Sequence, residues 1–149
     1  MDPIFTHSWL FEGISQRVKQ EIYTQGELLE TTPNETLIQK GLANDHLFLV
    51  LDGKLKAQLT GSQQDNLGIT VARREAGDML GEYSFFDNLP PAVTVISETR
   101  ARIFRINHAA LRLALADDPE ARAQIYRNML VYLVTRLRAQ DRELEIFTV

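Results

Sequence analysis

The chain has 149 residues, of which 44% are hydrophobic and 24% charged, with a formal charge of −4 and no cysteine. That length suits one domain with a substantial core, and the lack of cysteine excludes disulfides, thiol catalysis and cysteine-ligated metals. The acidic balance argues against broad electrostatic binding to nucleic acid or acidic membranes, and the densest basic run, Arg136 to Arg138, is followed by Asp141, Glu143 and Glu145.

The N-terminus, Met1 to His7, has no basic region leading into an apolar run, so it does not read as a secretion signal. The longest apolar runs, Leu47–Leu51 and Met129–Val134, are too short to span a bilayer, and the cytoplasm is the expected location. A helix is expected over about 15–25: Ser15 can cap it, Ile14, Val18 and Ile22 fall four apart on one face, and Gly26 stops it.

From about 28 to 106 the pattern becomes short strands with closely spaced turn signals, which argues for a β-sandwich or barrel. Strands are expected at Leu28-Leu29, Thr36–Gln39, His46–Leu51 and Lys54–Leu59, the last two joined by Asp52-Gly53, a two-residue hairpin signal. Gly61–Asn66 reads as a polar loop, and Ile69 to Ala72 as an alternating strand leading to a turn at Gly77. Further strands are expected at Ala92–Ser97 and Arg102–Ile106, the latter with Phe104 and Ile106 on one face and Ile103 and Arg105 on the other.

Helices are expected over about 107–117, capped by Asn107, and about 119–147, after Asp117-Asp118-Pro119. Along the second, Tyr126, Leu130, Leu133, Leu137, Gln140, Leu144 and Phe147 step by four and three, a heptad seam with one polar member. A helix folded back on its own sandwich would need a broader stripe, which Val131 and Val134 supply in part; the narrow seam favours pairing with a second copy as a homodimer.

The stretch Gly81–Val95 has a chemistry of its own. Gly81-Glu82 opens a short segment that Pro90-Pro91 closes, and a β-branched strand resumes after Ala92. A glycine leading into a single helical turn leaves backbone N–H groups outward, an arrangement that attracts an anion.

This stretch resembles the phosphate-binding cassette of the cyclic nucleotide-binding domain family, through Gly81, Glu82, Ser84, Pro90, Ala92, Thr94 and Val95. The order of Gly41, the Leu47–Leu51 strand, Gly53, Gly77 and Gly81 resembles the glycine skeleton of that family's jelly roll, and the likeness covers nearly the full chain. It implies one mainly-β domain, a cupin-like double-stranded β-helix with an N-terminal helix and a long C-terminal one, serving signal transduction as a regulatory ligand-binding module.

The resemblance implies ligand contacts from Val71, Gly81, Glu82, Tyr83, Ser84, Pro91, Ala92 and Val93, with Gln140 and Asp141 as a lid. Glu82 would accept from a ribose 2′-hydroxyl, and amides from Gly81 to Ser84 would help hold the phosphate. One departure matters: the family's phosphate-gripping arginine is here Pro91, and Ala92 lacks the hydroxyl many members carry. Losing two charge-assisted hydrogen bonds lowers affinity by roughly a hundredfold or more, and Glu82 adds an uncompensated carboxylate beside the anion. Arg73 and Arg74 are available substitutes unless both lie on the wet face.

Catalysis has no visible machinery. His7, His46 and His108 stand apart, at a flexible start, a strand start and a helix start, and read as surface or capping residues where a cupin metal site needs a cluster. Neither a nucleophile-elbow nor a P-loop motif is present. The expectation is a non-enzymatic module without cofactor or metal, binding a cyclic nucleotide or another small ligand, or acting only as a dimerisation scaffold. A transcription factor of this type would carry a helix-turn-helix after the long helix; the chain stops at Val149, so it reads as a stand-alone module without nucleic-acid binding of its own, or as a fragment.

Overall fold

Eight antiparallel strands in two four-stranded sheets carry the architecture in the computed structural model, which describes residues 1–59 and 68–148, with side chains through residue 145. The polar loop expected at Gly61–Asn66 lies outside the described residues. One sheet is built from β1 (Glu27–Thr31), β3 (His46–Asp52), β6 (Met79–Leu80) and β8 (Ala101–Asn107), in the order β1-β8-β3-β6. The other holds β2 (Thr36–Ile38), β4 (Leu55–Leu59), β5 (Ile69–Arg74) and β7 (Thr94–Ser97), in the order β2-β7-β4-β5. This is the mainly-β jelly roll that the family resemblance implies, and it falls within the sandwich-or-barrel class that the strand pattern argues for.

The Asp52-Gly53 hairpin is not formed. β3 and β4 belong to different sheets: β3 pairs with β6 and β8, and β4 with β5 and β7. Gly53, at φ 87°, turns the chain from one layer to the other, and a Cβ there would collide with the backbone at Arg100 and Ala101. Turn chemistry fixes a local reversal of direction; it does not choose the strand's partner.

β3 explains its own unbroken apolar run. Leu47, Leu49 and Leu51 join a core shared with the helices, while Phe48 and Val50 join the core between the sheets with Leu55, Val95 and Ile103. A strand covered on both faces has no wet side to alternate with. β8 splits as its pattern predicts, with Phe104 and Ile106 toward the helices and Ala101 and Ile103 between the sheets.

The N-terminus is a structural part of the core, contrary to the flexible start expected around His7. Asp2 caps α1 (Pro3–Thr6), and Phe5 is fully buried, its ring 4.5 Å from Phe11, 4.9 Å from Tyr23 and 4.7 Å from Phe104. After a 3₁₀ turn at Trp9–Phe11 comes α2 (Gln16–Gln25), with Ser15 Oγ accepting from the Val18 amide and Ile14, Val18 and Ile22 all buried.

After β8, Asn107 caps α4 (His108–Ala114), and α5 runs over Pro119–Thr148. The two readings of α5 divide along its length. Ala121, Ile125 and Met129 are buried in the helix-side core, and Asn128 donates to the Leu10 and Glu12 carbonyls, both at 2.9 Å. Tyr126, the first seam residue, is half-buried with its ring 5.8 Å from Phe85 and from Phe86, so it belongs to its own domain. Leu133 is half-buried, whereas Leu130, Leu137 and Leu144 are 60%, 57% and 61% exposed. The helix docks through Ala121, Ile125 and Met129, while Leu130 and Leu137 of the seam stay largely exposed. Phe147 lies beyond the described side chains.

Candidate ligand cavity

Gly81 fixes the geometry of the cassette. Its φ of 82° lies in the left-handed region, and a Cβ would run into the His46 carbonyl oxygen of β3. Glycine is therefore required both by conformation and by space. It is also the N-cap of α3 (Glu82–Asp87) and supplies no side-chain acceptor, so the first amides of α3 have no side-chain cap.

The far end of α3 is closed locally. Asn88, at φ 58°, donates its amide to the Ser84 carbonyl, and Ser84 Oγ donates to the Leu89 carbonyl at 2.9 Å. The Pro91 carbonyl accepts from the Gly41 amide at 3.0 Å. β7 starts at Thr94, two residues later than expected, leaving Pro91, Ala92 and Val93 as a non-strand rim.

α4 holds α3 at both ends. Arg112 Nη2 donates to the Phe85 carbonyl at 2.7 Å, with the guanidinium 4.6 Å above the Phe85 ring. His108 Nε2 lies 3.2 Å from the Gly81 carbonyl; a carbonyl only accepts, so this nitrogen carries the proton. His108 is thus buried and braces the cassette, correcting its reading as a surface or capping residue. Burial lowers its pKa, and the bond to Gly81 opposes that shift in part.

A cavity of about 270 Å³ lies between this cassette, β5 and α5. Val71, Gly81, Glu82, Tyr83, Ser84, Pro91, Ala92 and Val93 all line it. Gln140 lines it from α5, while Asp141, the other expected lid residue, does not. Ile38, Ala57 and Val95 form an apolar floor between the sheets. Ser84 has its hydroxyl proton committed to Leu89, so it offers a ligand lone pairs alone.

Glu82 is nearly buried, at 8% exposure. Burial raises its carboxyl pKa, while its own backbone amide and the charges of Arg74 and Arg136 act in the opposite direction. The carboxylate is therefore not uncompensated, as the sequence implied. No cation stands in the cassette loop. Arg73 is turned to Glu98, Nε to Oε2 at 3.1 Å, and among the described residues Arg74 is the single cation lining the cavity.

α5 grips the turn leading into the cassette. Arg136 pairs with Asp78 and lies 5.1 Å over the Tyr132 ring. Tyr132 Oη accepts from the Met79 amide at 3.2 Å, Trp9 stacks on Tyr132 at 4.4 Å, and Trp9 Nε1 donates to the Gly77 carbonyl at 2.6 Å. Sequence reading missed these residues, as it missed Arg112. The His108–Gly81 and Arg136–Asp78 partners are 27 and 58 residues apart, and no local pattern links such pairs. Among the described residues, no cluster of histidine and carboxylate groups could hold a metal ion, and no helix is long and apolar enough to cross a membrane.

Known proteins are similar to this chain in sequence and in fold. A CRP-like cAMP-activated global transcriptional regulator of Mycobacterium tuberculosis is 28% identical over 151 residues, covering 99% of this chain and 64% of its own length. The chain thus spans somewhat under two thirds of that curated relative. The rice potassium channel AKT2 is 25% identical over 133 residues, covering 89% of this chain and 15% of the channel. A cyclic nucleotide-binding domain from Methylobacillus flagellatus superposes with a TM-score of 0.80 at 20% identity, covering 91% of this chain and 75% of that one. The catabolite activator protein of Thermus thermophilus gives 0.75 at 19%, covering 95% and 63%. These two likenesses concern the fold. The model of the cyclic nucleotide-binding domain matches residues 28–118, more than half of the sequence, and the chain belongs to that family.

Proposed function

We propose that this domain is a non-catalytic regulatory sensor whose cavity takes a small ligand and holds cyclic nucleotides only weakly. The observation that supports it is a cavity lined by Gly81 to Ser84 with Pro91 on its rim, where the resemblance implies a charge-pairing arginine. Glu82 and the α3 amides remain available to a ligand's hydroxyl and polar groups. What is missing is an arginine at the Pro91 rim, which costs a cyclic phosphate held against the cassette two of its strongest hydrogen bonds.

Thermal-shift screening against cyclic AMP, cyclic GMP and a panel of other metabolites tests the reading, because a ligand of the native state raises its stability. The cyclic nucleotides should give no shift at concentrations where a better-matched ligand gives a clear one. A large shift with either at micromolar concentration would overturn it.

A second reading is favoured by the exposed row on α5: the module works as a homodimer, with that row covered by the same row of another copy. Coverage of 64% of the mycobacterial regulator favours a further form of it, in which this chain is the sensor part of a larger catabolite-activator-like protein. DNA contact would then belong to other residues, since these carry a charge of −4. A soluble module of this kind would act in the cytoplasm.

A further inference from the structure

Resting on the reading that this cavity is the ligand site, a second question is where a ligand's charge would go once position 91 has no arginine. Arg74, at the end of β5, is half-buried and lines the cavity. It also lines a neighbouring cleft of about 340 Å³, and is the one residue common to both. That cleft is lined by four cations, Lys54, Arg73, Arg74 and Arg136, against two carboxylates, Glu75 and Asp78. Such a local excess is notable in a chain whose net charge is negative.

The state of each arginine separates Arg74 from the rest of its surroundings. Arg73 is paired with Glu98 and Arg136 with Asp78. Asp78 is doubly engaged, since its other oxygen accepts from the Glu75 amide at 2.8 Å. Among the described residues no carboxylate lies within ion-pair distance of Arg74. Its recorded hydrogen bond is from Nη1 to the Arg73 carbonyl, 2.9 Å away, a neutral acceptor on the adjacent residue. A guanidinium has five N–H donors in a rigid fork, so most of the donor capacity of Arg74 is unspent at the mouth of an apolar-floored cavity.

We propose that Arg74 is the anion-binding residue of this site, and that the ligand is a small organic anion whose apolar or aromatic body fills the cavity while its phosphate or carboxylate lies at the junction with the cleft. Glu82 and Arg74 then divide the work. The carboxylate of Glu82 accepts from ligand hydroxyls and repels negative charge; the fork of Arg74 takes that charge where the cavity adjoins the cleft. The position also brings the anion beside Arg136, the residue that ties α5 to the turn before the cassette, so that occupancy is sensed by the long helix.

NMR titration of the full chain with adenosine and with 5′-AMP tests this, because the two probes share a body and differ in charge. The native protein should bind 5′-AMP about ten- to a hundredfold more tightly than adenosine, the range expected for a charge-assisted bidentate contact. Arg74→Gln should remove that preference, lowering 5′-AMP affinity far more than adenosine affinity, and Arg74→Lys, which keeps charge but not the fork, should retain part of it. A phosphate preference that survives Arg74→Gln, or an equal loss of both probes, would overturn the assignment. Adenosine binding with no phosphate preference in the native chain would overturn it alone and leave the cavity reading standing. Failure of both probes to bind would overturn the assignment of an aromatic anion to Arg74, while the cavity reading falls only if the metabolite panel also gives no thermal shift.

Discussion

Replacing Leu130 and Leu137 with aspartate should dissociate the protein without unfolding it. Both side chains are more than half exposed on α5, at 60% and 57%, so neither contributes much to the domain's own core. Full burial of a leucine stabilises by roughly 1.5–3 kcal/mol, so covering the exposed part of each contributes about 1–2 kcal/mol. A symmetric pair of helices presents four such side chains, and losing them removes roughly 4–8 kcal/mol before the cost of burying carboxylates is added. At about 1.4 kcal/mol per factor of ten, that weakens association by a thousandfold or more. Size-exclusion chromatography with light scattering should show a dimer for the native chain at roughly tens of micromolar and a monomer for the variant, as mass action requires. The melting temperature of the variant's monomer should show no loss of core packing, since both positions face solvent in a single copy. A native chain that is already monomeric at that concentration would refute the reasoning, and a variant that stays dimeric would place the interface elsewhere. Leu133 is the worse choice for this test, because it is half-buried in its own domain and its substitution would confound folding with association.

Two further outcomes follow from the cassette. Gly81→Ala should destabilise the protein by about 1–2 kcal/mol from the left-handed backbone alone, with more from the collision with the His46 carbonyl; urea unfolding within about 0.5 kcal/mol of native would contradict the requirement for glycine. Glu82 has a folded-state pKa above its ordinary value of 4.5, so the folded state holds the proton more readily and stability from this group is greatest in acid. It falls as pH rises from 4.5 to the raised value and is level above it, and Glu82→Gln should flatten this decline in pH-dependent unfolding; an unchanged slope would sink the assignment.

Much of the fold was legible because its signals are local. Ile14, Val18 and Ile22 at helical spacing, the caps at Ser15 and Asn107, and the two-faced burial of β8 are all consequences of a few neighbouring residues. The Asp52-Gly53 turn shows the limit: its residues dictate a reversal, yet which sheet receives β4 is decided by packing between distant strands. α5 shows another, since one heptad seam contains Tyr126, which packs on the domain, and Leu130 and Leu137, which stay largely exposed. The cavity wall was legible as a contiguous motif from Gly81 to Val93. Its supports were not, because His108, Arg112, Tyr132 and Arg136 reach it only through the tertiary fold. Arg73 and Arg74 are adjacent and identical in type, and the pairing of Arg73 with Glu98, 25 residues on, is not a local signal.

Under the proposed function, Pro91 and Ala92 separate this cavity from an ordinary cyclic nucleotide site, and calorimetry on two forms of the chain decides whether they do. The native protein should bind cyclic AMP and cyclic GMP weakly or undetectably. Pro91→Arg combined with Ala92→Ser should recover binding by roughly a hundredfold or more, the worth of the two charge-assisted hydrogen bonds restored, once the loop is free of proline's fixed φ. Micromolar or tighter binding by the native protein, or no gain in the double substitution, would contradict the account.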